Sequence, residues 1–283
     1  MRLSPTGRSQ NLEDRRGARA RPIGLGIGGM LILLLIGYCT GINPLTLIGV
    51  ANQAQQAAPG SDETAPVTDA AEEPMVKFLS AVLDDAQAFW ATEFSRTQTA
   101  SYRDAKLVLF RDLTQTACGY GQAASGPFYC PGDEKVYVDL GFYDELKSRF
   151  GAPGDFAQAY VLAHEIGHHV QRLTGTDEQV RGFQRQRPDQ ANQASVLLEL
   201  QADCYAGMWG KSAAERGLLD PGDLEEGLGA AAAVGDDRLQ RQQTGTVNPD
   251  AFTHGTSDQR MQWFRRGFDS GNAASCDTFG GTS

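Results

Sequence analysis

The chain has 283 residues and a net charge of −10, unevenly spread: residues 1–21 carry six arginines against two acids, so the remainder is net −14. A body that acidic repels polyanions, and no Lys/Arg stripe with interleaved aromatics offsets it, so no nucleic-acid partner is expected. The length allows one good-sized core plus appendages.

Read in chain order, no charged residue occurs between Arg21 and Asp62, and Ile23 to Val50 is apolar apart from Thr40, Asn43, Pro44, Thr46 and several glycines. About 20 apolar residues cross a bilayer as a helix, so residues 22–50 are predicted to be one transmembrane signal anchor in contact with lipid. The arginines before it place residues 1–21 in the cytoplasm and everything after Val50 outside it. A cleaved signal peptide is the rival, but no A-x-A site follows closely. Cys39 reads as an ordinary thiol, since Tyr38 is too bulky for lipoprotein processing. Residues 51–75 are polar and lack aromatics, the composition of a flexible linker.

A domain over 76–283 follows. Phe78, Leu79, Val82, Leu83, Ala86, Phe89 and Trp90 recur at helical spacing. Residues 106–110 and 135–140 read as short strands, and 142–150 as a helix ending at Gly151–Gly154. Asp155 is the expected cap of a helix running to about Thr174 and stopped by Gly175. Residues 178–191 are polar and read as a solvated connection. Helices are then expected over 195–216 and 223–239, with a last one to Phe268 opened by the capping box Thr256-Ser257-Asp258-Gln259. The pattern is α+β, mostly helical with a small sheet.

Four cysteines lie outside the apolar run, an even number that suits two disulfides in an exported domain. Three pairings are open. Cys118–Cys130 is favoured because a Gly/Ser-rich stretch between them reads as a short loop, which leaves Cys204 with Cys276. Zinc binding by these cysteines is the alternative, weakened by the absence of a C-x-x-C pair.

Three of the four histidines fall within six residues, in Val161-Leu162-Ala163-His164-Glu165-Ile166-Gly167-His168-His169. Four residues is slightly more than one helical turn, so His164 and His168 share a face and can meet one metal ion. Glu165, about 100° further round, reaches a water on that metal without being a ligand. His169 points about 100° away from His168 and reads as a packing or surface residue. A catalytic zinc site needs a third protein ligand. The familiar extension with a third histidine is ruled out, since no histidine stands at 174. Glu199 and, one turn on, Asp203 project from an otherwise apolar helix. Glu199 is the expected third ligand, and Asp203 the acid that accepts the far N–H of a ligating histidine.

His164-Glu165-Ile166-Gly167-His168 followed by Glu199-Leu200-Gln201-Ala202-Asp203-Cys204-Tyr205-Ala206-Gly207 resembles the bacterial neutral zinc metallopeptidases, and more broadly the gluzincins. The likeness extends over roughly 76–280, through Gly126-Pro127-Phe128-Tyr129-Cys130-Pro131, Val136-Tyr137-Val138-Asp139 and His254-Gly255-Thr256-Ser257 with Arg260. It implies a zincin-like domain with one Zn2+ per chain, a zinc-bound water activated by Glu165, and a transition-state donor C-terminal to the ligands, assigned to His254. It also implies an edge strand, expected at Val136–Asp139, that pairs with an extended peptide. The function expected is a membrane-anchored endopeptidase acting on exported proteins. The anchor would place it as a single-pass protein of the bacterial inner membrane, its catalytic domain on the periplasmic side. A catalytically silent zinc-binding scaffold for peptide partners, and an amidase of cell-wall peptide, are the alternatives; the intact Glu165 argues against the scaffold.

Overall fold

Lys106–Phe110 is a nearly unbroken apolar run, the signature of a strand covered on both faces, and it lies inside the sheet on which the domain is built. The computed structural model describes residues 1–3, 7–17, 70–98, 100–123 and 126–280. The chain divides into two units, Met1–Arg16 with Pro66–Ser283, and Gly17–Ala65. The predicted anchor, 22–50, and most of the predicted linker lie outside the described residues.

In the first unit, β1 (Leu12–Asp14) leads to helix α1 (Glu73–Thr97), then β2 (Lys106–Phe110), the hairpin β3 (Leu113–Thr116) and β4 (Gly119–Gln122), and strands β5 (Phe128–Cys130) and β6 (Lys135–Asp139). Helices follow: α2 (Gly141–Ser148), α3 (Asp155–Thr174), α4 (Thr176–Gln186), α5 (Ala191–Glu215), α6 (Asp223–Ala233), α7 (Asp236–Thr244) and α8 (Ser257–Ser270). The sheet order is β1-β2-β6-β5, with β1, β2 and β6 parallel and β5 antiparallel to β6. The α+β expectation holds, mostly helical with small sheets.

Alternation along the strands decides what each face covers. Leu107, Leu109, Val136 and Val138 pack with the stripe of α1 (Val76, Leu79, Leu83, Trp90) and with Phe156, Tyr160 and Ile166 of α3 in one core. Val108, Phe110 and Tyr137 face the other way, where Tyr137 stacks on Phe128 with ring centroids 5.0 Å apart. Disulfides join Cys118 to Cys130 and Cys204 to Cys276. The first ties the β3–β4 turn to β5, and the second ties the segment after α8 to α5.

Several expectations are corrected. Asp155 does not cap α3; the Phe156 N–H donates to Glu226 of α6 at 3.1 Å instead, an acid brought there by tertiary packing. The supposed solvated connection is largely helix α4, whose polar sequence conceals a narrow buried strip at Asp177 and Val180. The expected helix over 223–239 is two, α6 and α7, broken at Val234-Gly235. A Cβ on Gly235 would overlap the backbone of Ser257, so α8 enters where the helix would have continued.

The single-pass inner-membrane localisation is also overturned. Among the described residues no helix is long and apolar enough to cross a membrane. The arginine-rich segment expected in the cytoplasm instead supplies β1 to the domain's own sheet, pairing Leu12 with Leu107 and Asp14 with Leu109. Arg16, its side chain 1% exposed, bonds Asp14 and Glu72 at 2.6 Å, while Arg8 bridges Asp14 and Glu73. Of the arginines counted as a topology signal, Arg2, Arg8, Arg15 and Arg16 are structural ion-pair partners, and Arg19 and Arg21 lie outside the described residues.

Candidate metal centre

Helix α3 carries the H-E-x-x-H run and α5 carries Glu199 and Asp203. The two helices approach closely because position 167, between the histidines, is glycine. A Cβ there would stand 3.0 Å from the Ala202 carbonyl oxygen and 3.1 Å from its Cα. Contact at that distance brings Glu199, one turn before Asp203, against the histidine face of α3.

His164, His168 and Glu199 then offer ligand atoms that all lie within 4.8 Å of one another. His164 Nε2 is 3.1 Å from Glu199 Oε2, and His168 Nε2 is 3.4 Å from Oε1. The two imidazoles stand nearly perpendicular, with centroids 4.8 Å apart. Both rings thus turn Nε2 toward one carboxylate, and each commits Nδ1 to another partner: Asp203 Oδ1 at 2.8 Å for His164, Gln171 Oε1 at 2.8 Å for His168.

Asp203, fully buried, is held from three sides. Tyr160 donates its hydroxyl to Oδ1 at 2.5 Å, and Arg260 closes a two-pronged bridge, Nε to Oδ2 at 2.8 Å and Nη2 to Oδ1 at 2.9 Å. A planar guanidinium matches a carboxylate in this way where an ammonium would not. Burial works against the Asp203 charge, but Arg260 and His164 outweigh it and keep its carboxyl below the usual range. Burial likewise opposes charge on His164, yet Asp203 and Glu199 push its pKa up to about 9. Glu199 is held well below the ordinary carboxylate value: burial opposes this, and the two histidines overcome it. Positive charge at the two Nε2 atoms is what this arrangement favours, whether it comes from protons or a cation.

Glu165, 7% exposed, has its pKa raised by burial, which makes it a better proton acceptor than a carboxylate in water. It lines a cleft of about 470 Å³ together with His164, His168, Glu199, Arg260 and His254. His254, exposed on the cleft wall, is fixed from behind by Asp236 at the start of α7. Asp236 Oδ1 lies 3.2 Å from His254 Nδ1, and Oδ2 accepts the backbone N–H groups of Thr253, His254 and Gly255. The Asp236 bond raises the histidine's pKa.

His169 is separate from this group. It is fully buried between Tyr129 Oη at 2.9 Å and the Arg103 carbonyl at 2.6 Å, and it ties α3 to the sheet. The strand beside the cleft is β5, where Phe128 and Tyr129 join the lining; β6, expected at the edge, runs between β2 and β5. A three-residue strand bounded by prolines gives little period-two signal, which is why β6 drew the assignment. Tyr160, one turn before His164, was open to the same spacing argument that found the histidines. Asp236 and Arg260 were not, because only the tertiary fold brings them in.

A second acidic group, Asp155, Asp223 and Glu226, also converges within 4.8 Å, but it contains no histidine. The Met1 nitrogen, 2.9 Å from Asp155 and 3.1 Å from Asp223, already pairs with it.

Comparison with known proteins adds to this geometry. A family model described as "Putative neutral zinc metallopeptidase" matches residues 1–279. Uncharacterized protein YpfJ of Escherichia coli K12 is 45% identical over 296 residues, covering 99% of each chain. Uncharacterized proteins Mb2605 of Mycobacterium bovis and Rv2575 of Mycobacterium tuberculosis H37Rv are each 44% identical over 182 residues, 60% of this chain and 61% of theirs. No solved structure matches.

Proposed function

Because the chain belongs to the putative neutral zinc metallopeptidase family, we propose that it is a zinc-dependent endopeptidase whose metal ligands are His164, His168 and Glu199. The observation that carries this reading is the convergence of two Nε2 atoms on one carboxylate, with both Nδ1 atoms already committed elsewhere. Two imidazoles and one carboxylate, on the wall of a cleft, suit a catalytic zinc ion, which keeps a position for water. Zinc held there supplies a Lewis acid for a peptide carbonyl and lets water lose a proton near neutral pH.

The remaining work falls to the chain's own residues. Glu165 takes a proton from the attacking water and gives it to the leaving amine, a transfer that its burial-raised proton affinity favours. His254, whose protonated form Asp236 favours, donates to the oxygen on which negative charge develops. Asp203, fixed by Arg260 and Tyr160, holds the His164 ring so that Nε2 stays directed at the ligand position. Edge strand β5 is suited to pair with an extended substrate backbone across the cleft.

The test compares wild type with Glu165→Gln, each assayed for zinc content and for cleavage of an unstructured protein. Equal zinc with cleavage lost in the variant is expected. A variant that cleaves at the wild-type rate contradicts the assignment of the base, and a wild type that cleaves no polypeptide contradicts the peptidase reading.

A further inference from the structure

The His164 ring is backed by a carboxylate, the His168 ring by an amide, and that amide is the first link of a buried chain. Gln171, one turn beyond His168 on α3, accepts from His168 Nδ1 through Oε1. Its Nε2 donates to the Leu198 carbonyl at 2.7 Å and to Gln201 Oε1 at 3.1 Å. Gln201 in turn donates from Nε2 to the Cys276 carbonyl at 3.1 Å. Cys276 is locked to α5 by the disulfide to Cys204, the residue after Asp203. Gln171 is fully buried and Gln201 nearly so.

The polarity of this chain is fixed at two points. A backbone carbonyl only accepts, so Leu198 determines which end of the Gln171 amide carries hydrogens, and Cys276 does the same for Gln201. The Gln171 oxygen must then face His168. A reversed amide would set oxygen against the Leu198 carbonyl and break two buried bonds at once. With an oxygen opposite it, His168 Nδ1 carries a hydrogen and Nε2 keeps its lone pair on the side of Glu199. Leu198 also precedes Glu199 directly, so one amide ties the ring of one proposed ligand to the backbone beside another.

We propose that Gln171 and Gln201 are positioning residues: a relay, anchored on the C-terminal tail, that sets the tautomer and rotation of His168 for metal binding. The proposal rests on the reading of His168 as a zinc ligand. An amide relay orients the ring without adding a buried charge, so Asp203, neutralised by Arg260, remains the one carboxylate behind the two histidines.

The experiment uses the full-length chain as wild type, Gln171→Met, Gln171→Glu and Gln201→Met. Zinc affinity is measured by competition with a chelator, and thermal unfolding of the zinc-stripped proteins serves as the structural control. The Nδ1 proton of His168 is followed by NMR in the zinc-loaded state. Gln171→Met is expected to weaken zinc binding roughly 10–100-fold, the usual loss when a ligand's outer partner is removed, and to lose the slowly exchanging Nδ1 proton. Gln201→Met weakens zinc by less and speeds that proton's exchange. Gln171→Glu does not restore wild-type affinity, because its second oxygen meets the Leu198 carbonyl. Affinity within twofold of wild type in Gln171→Met overturns the relay, and so does full affinity in Gln171→Glu, which would make any acceptor sufficient. Should Gln171→Met fail to fold, Gln201→Met decides: unchanged affinity and unchanged proton exchange overturn the proposal. A wild type that binds no zinc overturns the metal reading itself, a result separate from these.

Discussion

Glu199 sits where both imidazoles direct their free nitrogens, so its loss removes a proposed ligand and the acid that favours positive charge there. Glu199→Ala is expected to lose more zinc affinity than the roughly 10–100-fold that an outer partner is worth, and metal titration checks it. His254→Ala should lower kcat by about 10²–10³ with little change in zinc content, the scale of a lost oxyanion donor. The pH profile separates His254 from Asp236. The Asp236 bond raises the histidine's pKa, so the donor proton is present below that pKa and is lost as pH rises through it. The alkaline limb of kcat should therefore move to lower pH in Asp236→Asn; an unmoved limb would detach Asp236 from the donor. His164, Glu165 and His168 were legible in the sequence because one helical turn places them together, and Glu199 with Asp203 because two acids one turn apart interrupt an apolar face. Arg260 was not legible as the partner of Asp203, 57 residues away, since the α5–α8 packing alone creates that bridge.

At the scale of elements, the site depends on how closely α3 and α5 approach. Gly167→Ala puts a methyl group against the Ala202 backbone, so the helices must move apart by tenths of an ångström or more. Overpacking of this kind costs about 1–3 kcal/mol. The expected outcome is a lower unfolding midpoint together with weaker zinc binding, while an alanine variant with wild-type affinity would show that Glu199 reaches the histidines without that contact. The long helices were readable from period 3.6 because each buries a broad stripe. Helix α4 was not, because its stripe is narrow and its sequence mostly polar. Strand β1 was missed, and β5 was marked only by the family likeness and not by its own pattern, for a related reason. Edge strands are short and tolerate charge or flanking proline, so neither Leu-Glu-Asp nor Phe-Tyr-Cys offers the alternation that marks β2 and β6.

Over the whole molecule, the N-terminal arm changes the reading most. Its arginines looked like a membrane-topology signal; in the fold Arg8 and Arg16 close ion pairs with Asp14, Glu72 and Glu73 and so join β1 to the start of α1. Arg16→Met takes one of two arginines from each acid, since Asp14 keeps Arg8 and Glu72 keeps Arg111, and should cost about 1–3 kcal/mol in urea unfolding. Acid should release the arm as well. Burial opposes ionisation of Glu13, but Lys135 and Arg15 outweigh it and hold its pKa down to about 2. The stabilisation is complete above the unfolded value near ~4.3 and is lost as pH falls toward 2, which amide exchange along β1 and β2 would register. The proposed function centres on one proposed metal position, and anomalous diffraction at the zinc edge from crystals of the protein tests it most directly. A single peak bonded to His164 Nε2, His168 Nε2 and the Glu199 carboxylate is predicted; no peak there, or one at Asp155, Asp223 and Glu226 instead, would contradict it.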